Sequence, residues 1–187
     1  MNVMIVGVGG QGTLLASRIL GNIVIDLGYD VKVSEVHGMS QRGGSVVTYV
    51  KYGENIYSPI IDKGEADVIL AFEMLEAYRA LPYLNKSGKI IANTQQINPM
   101  PVITGAAKYP ENIDKKLENV AKCEFVDALD LAKKAGNIKA VNVVLIGVFA
   151  KESGISYDTW IEVIKKTVPA KLLEVNLKAF ELGYNLK

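Results

Sequence analysis

The sequence predicts an α/β fold: a doubly wound, mostly parallel sheet with flanking helices, an antiparallel excursion after the second strand, and a helical C-terminal region. Three observations carry this expectation. Short apolar runs bounded by glycine or polar residues recur along the first two thirds of the chain, as strands covered on both faces do. A glycine loop joins the first of these runs to a segment with apolar residues every four positions. The last third, 139–182, keeps helical spacing and reads as two or three helices.

Residues 2–7 form the first strand. After Gly12, the spacing of Leu15, Ile19, Ile23 and Leu27 makes an amphipathic helix, stopped at Gly28, where glycine can take the left-handed conformation. Residues 31–36 are the second strand, followed by the polar loop His37 to Gly44 and a β-branched and aromatic strand, Val46 to Tyr52. That loop is too short to house a crossover helix, so an antiparallel return is expected. Asp67 to Phe72 is a buried strand, Glu73 to Leu84 a helix, and Gly88 to Ala92 a strand ending at Asn93. Residues 95–109, with Pro99, Pro101 and Gly105, read as irregular. Helical spacing resumes over 111–121, then a short strand at 123–126 and a helix at 127–135. Pro169 is expected to open the last helix, because the first turn does not use its missing N–H. Residues 1–187 read as a single domain with no internal repeat.

Composition narrows the function. Lys and Arg number 21 against 20 Asp and Glu, which argues against a nucleic-acid binder or a membrane-surface protein. No apolar stretch reaches transmembrane length and no signal segment opens the chain, so a cytoplasmic protein is expected. The single cysteine, Cys123, cannot hold an iron–sulfur cluster or structural zinc, and is expected to be a small buried hydrophobe.

Two loops carry the chemistry. Gly7-Val8-Gly9-Gly10-Gln11-Gly12 satisfies GxGxxG directly after a strand and before a helix. The expected reasons are a tight turn at the first glycine, close phosphate approach at the second, and helix packing at the third. Free N–H groups and the positive dipole end of the helix favour an anion there. The plain alternative is a ligand-free strand–helix turn. Glu35, at the end of the second strand, stands where a dinucleotide fold places its ribose-binding acid, so NAD is not dismissed by pattern. No hydride-transfer apparatus accompanies it, and His37, the only histidine, reads as a structural loop residue. In the second loop Ser40, Gln41, Arg42, Gly43 and Gly44 combine a bidentate cation with small donors, which suits phosphate or carboxylate. A solvated hairpin turn is the alternative. Glu73 and Asn93 follow strand ends at the same edge, so a single crevice is expected.

Gly7-Val-Gly-Gly-Gln-Gly-Thr13 and Glu35-Val-His-Gly-Met-Ser-Gln-Arg-Gly-Gly-Ser45, with Ala71-Phe-Glu73, Gly88 to Asn93 and Asn142 to Gly147, resemble a known family. It is the gamma-type domain of the 2-oxoacid:ferredoxin oxidoreductases, and within it the beta subunits of the indolepyruvate branch. The likeness covers essentially the whole chain. It implies an accessory subunit whose larger partner binds thiamine diphosphate, magnesium and iron–sulfur clusters, converts arylpyruvates to acyl-coenzyme A and reduces ferredoxin. It also implies that this chain helps bind coenzyme A, with Gly9, Gly10, Gln11 and Gly12 cradling phosphate and Arg42 forming the opposing jaw. The competing readings are a free-standing NAD(P)-dependent dehydrogenase and a non-enzymatic assembly module. Trp160, Phe180 and Tyr184 are read first as packing for the domain's own core, and second as anchors for a partner.

Overall fold

The computed structural model of the chain describes residues 1–38 and 43–186. Six strands form one sheet in the order β2-β3-β1-β4-β5-β6: β1 (Asn2–Val8), β2 (Asp30–His37), β3 (Ser45–Gly53), β4 (Ala66–Ala71), β5 (Leu84–Asn93) and β6 (Lys122–Val126). β1, β4, β5 and β6 run parallel, with Val3 opposite Val68 and Ile90 opposite Cys123. β3 returns antiparallel from β2 and inserts between β2 and β1. This is the excursion expected from the short loop.

Strand alternation divides the interior into two cores. On one face Val3, Ile5, Leu70 and Ile91 pack beneath α1 (Thr13–Asp26), α5 (Ala128–Ala135), α6 (Val141–Glu152), α7 (Tyr157–Thr167) and α8 (Leu173–Tyr184). On the other, Met4, Val6, Ile69 and Ile90 pack beneath α2 (Met74–Ala80) and α4 (Ile113–Glu118), with Ile61 and Tyr109 from the connecting segments. α3 (Met100–Ile103) is a single turn in the segment between β5 and α4.

The first face is closed very tightly. Every residue of α6 from Val141 to Ala150 is buried, and α8 crosses it at two glycines. A Cβ on Gly147 would stand 2.3 Å from the Phe180 carbonyl oxygen, and one on Gly183 2.0 Å from that of Val144. Backbone thus touches backbone. Trp160 and Phe180 are fully buried and stacked at 6.0 Å, with half-buried Tyr184 packed on Phe180, so the core reading holds.

Several element bounds move from expectation, each for a local reason. α2 stops at Ala80, and a 3-10 turn over Leu81–Tyr83 carries Pro82, so β5 starts four residues early at Leu84. α4 spans only Ile113–Glu118. Pro169 precedes a 3-10 turn, and α8 begins after it at Leu173. Gly28 has φ 84° and closes α1 as expected, with the Tyr29 N–H donating to the Val24 carbonyl. Cys123 is half-buried, and burial, then Glu118, raises its thiol pKa. Among the described residues no helix is long and apolar enough to cross a membrane.

Candidate functional site

The glycine loop leaves the carboxyl end of β1, beside the point where the sheet's connections turn to either side. Its first glycine serves a different end from the one the pattern suggests, and its third the expected one. Gly7 has no left-handed backbone; a Cβ there would lie 2.9 Å from Gln11 Oε1 and 3.1 Å from Phe72 Cβ. The missing side chain makes room for the Gln11 amide, which folds back across the loop. Gln11 Oε1 accepts from the Val8 N–H (2.8 Å), and Nε2 donates to the Phe72 carbonyl (2.9 Å). Gln11 therefore ties the end of β1 to the residue after β4, with both amide atoms engaged inside the fold. Gly10 and Gly12 have φ of 103° and 85°, which only glycine takes readily. Gly12 also lies under Asn142, whose Nδ2 donates to its carbonyl at 3.1 Å. A Cβ on Gly12 would meet that nitrogen at 2.5 Å, the close helix packing expected of the third glycine.

The two loops are joined. The Gly9 N–H donates to the Gly44 carbonyl (2.8 Å), and the Gly43 N–H donates to that of Gly9 (3.2 Å). This short ladder uses up Gly9. The backbone N–H groups of Gly10, Gly12 and Thr13 meet no acceptor among the described residues, and they remain the donors for an anion at the start of α1.

The expected single crevice resolves into clefts on opposite faces of this edge. On the α1 side a cleft of about 350 Å³ is lined by Gly10, Gly12, Thr13, Glu35, His37 and Val46. Glu35 Oε2 accepts from Thr48 Oγ1 (3.1 Å) and Thr13 Oγ1 (3.3 Å). Exposed His37 meets only the neighbouring Gly38 carbonyl, at 3.1 Å. In this sheet β3 stands between β2 and β1, so Glu35 lies one strand further out than the acid of a dinucleotide fold, whose second strand neighbours the first.

Glu73 and Asn93 do reach the same edge, but both are buried, at 1% and 0% exposure, and line neither cleft. Glu73 caps α2 by accepting from the Glu76 N–H (2.9 Å). Its other oxygen accepts from the Ile97 N–H (3.0 Å) and the Tyr109 hydroxyl (2.5 Å). One carboxylate thus clasps both ends of the 97–109 segment. Burial, then the Glu73 hydrogen bond, raises the Tyr109 pKa strongly. Asn93 donates to the Phe72 carbonyl (3.1 Å) and accepts from the Ala128 N–H (3.2 Å), joining β4 to α5. These residues shape the site from beneath, since groups with all their partners inside the fold have little left for a ligand.

On the α2 side a cleft of about 410 Å³ runs between Gly43 and Gly44, α2 and the 97–103 segment. Its floor holds buried Glu76, whose Oε2 accepts from Ser45 Oγ (2.5 Å) and Oε1 from Arg79 Nη1 (2.6 Å). The predicted Ser40, Gln41 and Arg42 lie outside the described residues. Sequence reading missed Ser45, Glu76, Arg79, Tyr109 and Asn142 as parts of this edge. Glu76 and Arg79, three apart on a helix, look like an ordinary surface pair, and Asn142 is 130 residues from Gly12.

Comparison with known proteins follows this geometry. Residues 2–186 match the family model described as pyruvate ferredoxin/flavodoxin oxidoreductase. The chain is 46% identical over 188 residues to the indolepyruvate oxidoreductase subunit IorB of Thermococcus kodakarensis, covering 97% of this chain and 93% of that one. The pyruvate oxidoreductase subunit PORC of Thermotoga maritima superposes with a TM-score of 0.75 at 20% identity, over 98% of this chain and 94% of that one. The 2-oxoglutarate:ferredoxin oxidoreductase of Magnetococcus marinus, solved with 2-oxoglutarate, coenzyme A and succinyl-CoA, superposes with a TM-score of 0.70 at 16% identity; it matches all of this chain and 31% of its own. The chain belongs to the pyruvate ferredoxin/flavodoxin oxidoreductase family.

Proposed function

We propose that the chain is an accessory subunit of a 2-oxoacid:ferredoxin oxidoreductase complex of the indolepyruvate type, and that it helps hold coenzyme A for acyl transfer. The observation that carries the ligand part is the joined loop edge. Gly9 and Gly44 fix the two loops against each other, and the Gly10, Gly12 and Thr13 N–H groups meet no acceptor among the described residues at the start of α1. Those donors and the Glu35 carboxylate, a natural acceptor for ribose hydroxyls, fit a phosphorylated nucleoside such as coenzyme A. The identity to IorB over nearly the whole chain supports the indolepyruvate assignment, and the coenzyme A-bound relative supports the ligand.

Thiamine diphosphate with magnesium, bound by a larger partner, supplies the decarboxylation chemistry, and that partner's iron–sulfur clusters carry electrons to ferredoxin. This chain's own residues bind and orient the acyl acceptor. A stand-alone NAD(P) dehydrogenase is disfavoured by the place of Glu35, one strand removed from β1.

The test is to tag the chain, purify it without oxygen, and identify what comes with it by mass spectrometry and visible absorption. A stoichiometric larger partner, brown and containing thiamine diphosphate, is the expected result. In that complex Arg42→Ala should slow acyl-coenzyme A formation while arylpyruvate decarboxylation continues. A chain that purifies alone, colourless and with bound nicotinamide nucleotide, overturns the reading.

A further inference from the structure

The two clefts differ in charge, and that difference orients a ligand. The α1-side cleft offers three backbone N–H groups, but it also carries Glu35, which receives only hydroxyl donors among the described residues. That carboxylate partly offsets the positive end of the helix and gives hydroxyl groups an acceptor beside the N–H donors. The α2-side cleft has the opposite character. Arg79 stands at its wall, half exposed, and only Nη1 is paired, to buried Glu76. The other guanidinium N–H groups meet no acceptor among the described residues. Glu76, itself fixed by Ser45, sets the direction of the planar fork, which leaves those donors arranged for a bidentate oxyanion. Facing it are Leu75, Ile97, Pro99, Met100 and Ile103, with Met100 and Ile103 each 65% exposed. A concave apolar wall of this size beside an ion pair, with the inner Glu76 carboxylate occupied by Ser45 and Arg79 and the outer guanidinium donors turned to the cleft, is a usual form of a small-molecule site.

We infer that the Arg79 cleft is a binding site for the anionic end of an organic ligand, a phosphate or carboxylate carried on an apolar or aromatic body. The glycine-loop cleft keeps the role proposed above, N–H donors for a phosphate and Glu35 for hydroxyls, and the Arg79 cleft is a second anion site. Only the ligand's name rests on the function proposed above; the site rests on Arg79, Glu76 and the apolar wall. Substrate-sized anions of two kinds share this chemistry, coenzyme A phosphates and arylpyruvate carboxylates, and competition separates them.

The probe is 8-anilinonaphthalene-1-sulfonate, an aromatic anion, titrated by fluorescence into the full-length chain. Arg79→Gln should weaken its binding at least tenfold. Arg79→Lys should restore part of that loss, and Ile103→Ser should weaken binding through the wall. Lys86→Gln, an exposed cation at the opposite edge of the sheet, serves as the control and should bind as the unaltered protein does. Displacement by coenzyme A supports both this site and the proposed function. Displacement by phenylpyruvate alone supports the site and removes coenzyme A from it. Binding that is indifferent to Arg79→Gln while the variant keeps its circular dichroism and melting temperature overturns the inference.

Discussion

The two faces of the sheet are finished in different ways. Over the first, α1 and α5–α8 bury a large apolar core, and α6 meets α8 with backbone in contact at Gly147 and Gly183. Over the second, α2 and α4 cover only the middle, and the 97–109 segment is held at both ends by one carboxylate, Glu73. Exposed apolar residues remain over both faces, Leu14 and Ile25 on α1 over the first and Met100 and Ile103 over the second. The first face completes itself with its own side chains. The second relies on polar clasps, and the cleft with the Arg79–Glu76 pair lies there.

The largest expected effect falls on the closed face. Gly183→Ala drives a methyl group to 2.0 Å from the Val144 carbonyl oxygen, which neither helix can yield without separating. We expect a loss of about 3 kcal/mol, since overpacked cores cost on this order. In thermal unfolding this is a fall of roughly 6–12 °C at this chain length. An unchanged melting temperature would mean that the two helices are not in such close contact.

Glu73→Ala should be next, about 2 kcal/mol, because it removes a helix cap and leaves the Ile97 N–H and Tyr109 hydroxyl without their acceptor. Its signature is local. Limited proteolysis should cut within 97–109 in the variant well before the rest of the chain, and equal cleavage of both proteins would refute the clasp.

The glycine loop supplies a paired test. Gly12→Ala meets Asn142 and also strains a backbone at φ 85°, whereas Gly10→Ala meets open space and suffers only the strain. Urea unfolding should show about 2 kcal/mol lost for the first and about 1 kcal/mol for the second. Equal losses would show that Asn142 adds nothing.

The smallest effect is a pH dependence. Burial and then Glu73 raise the Tyr109 pKa above its ordinary value of 10. A raised pKa means that the folded state holds its proton where the unfolded state gives it up, so this contribution is complete below pH 10 and declines as pH rises further. Urea midpoints measured from pH 8 to 11 should fall less steeply for Tyr109→Phe than for the unaltered chain. Tyr52, pushed up to about 12 by burial, then by Asp67 and Tyr29, adds a slope of the same sign in both proteins, so only the difference is read.

Legibility from sequence followed the range of the interactions. Periodicity found every strand and located α1, α2 and α5, because side-chain alternation and helical spacing are written in neighbouring residues. The antiparallel return was legible too, since the seven residues between β2 and β3 cannot hold a crossover helix. The roles of the site residues were less legible. Gln11 and Glu73 stand at positions where a ligand contact is reasonable by motif, yet each spends one polar atom on a neighbour three residues away and the other on a distant group, Phe72 for Gln11 and Ile97 for Glu73.

By itself, then, the sequence determined the class of fold, the place of the loop edge and the family, all set by local pattern and residue identity. Tertiary structure alone decided that β3 separates Glu35 from β1, that Gly9 is consumed by Gly44, and that Arg79 faces an apolar wall. Those facts depend on which distant segments become neighbours, and chain closure sets that only when the whole sheet has formed.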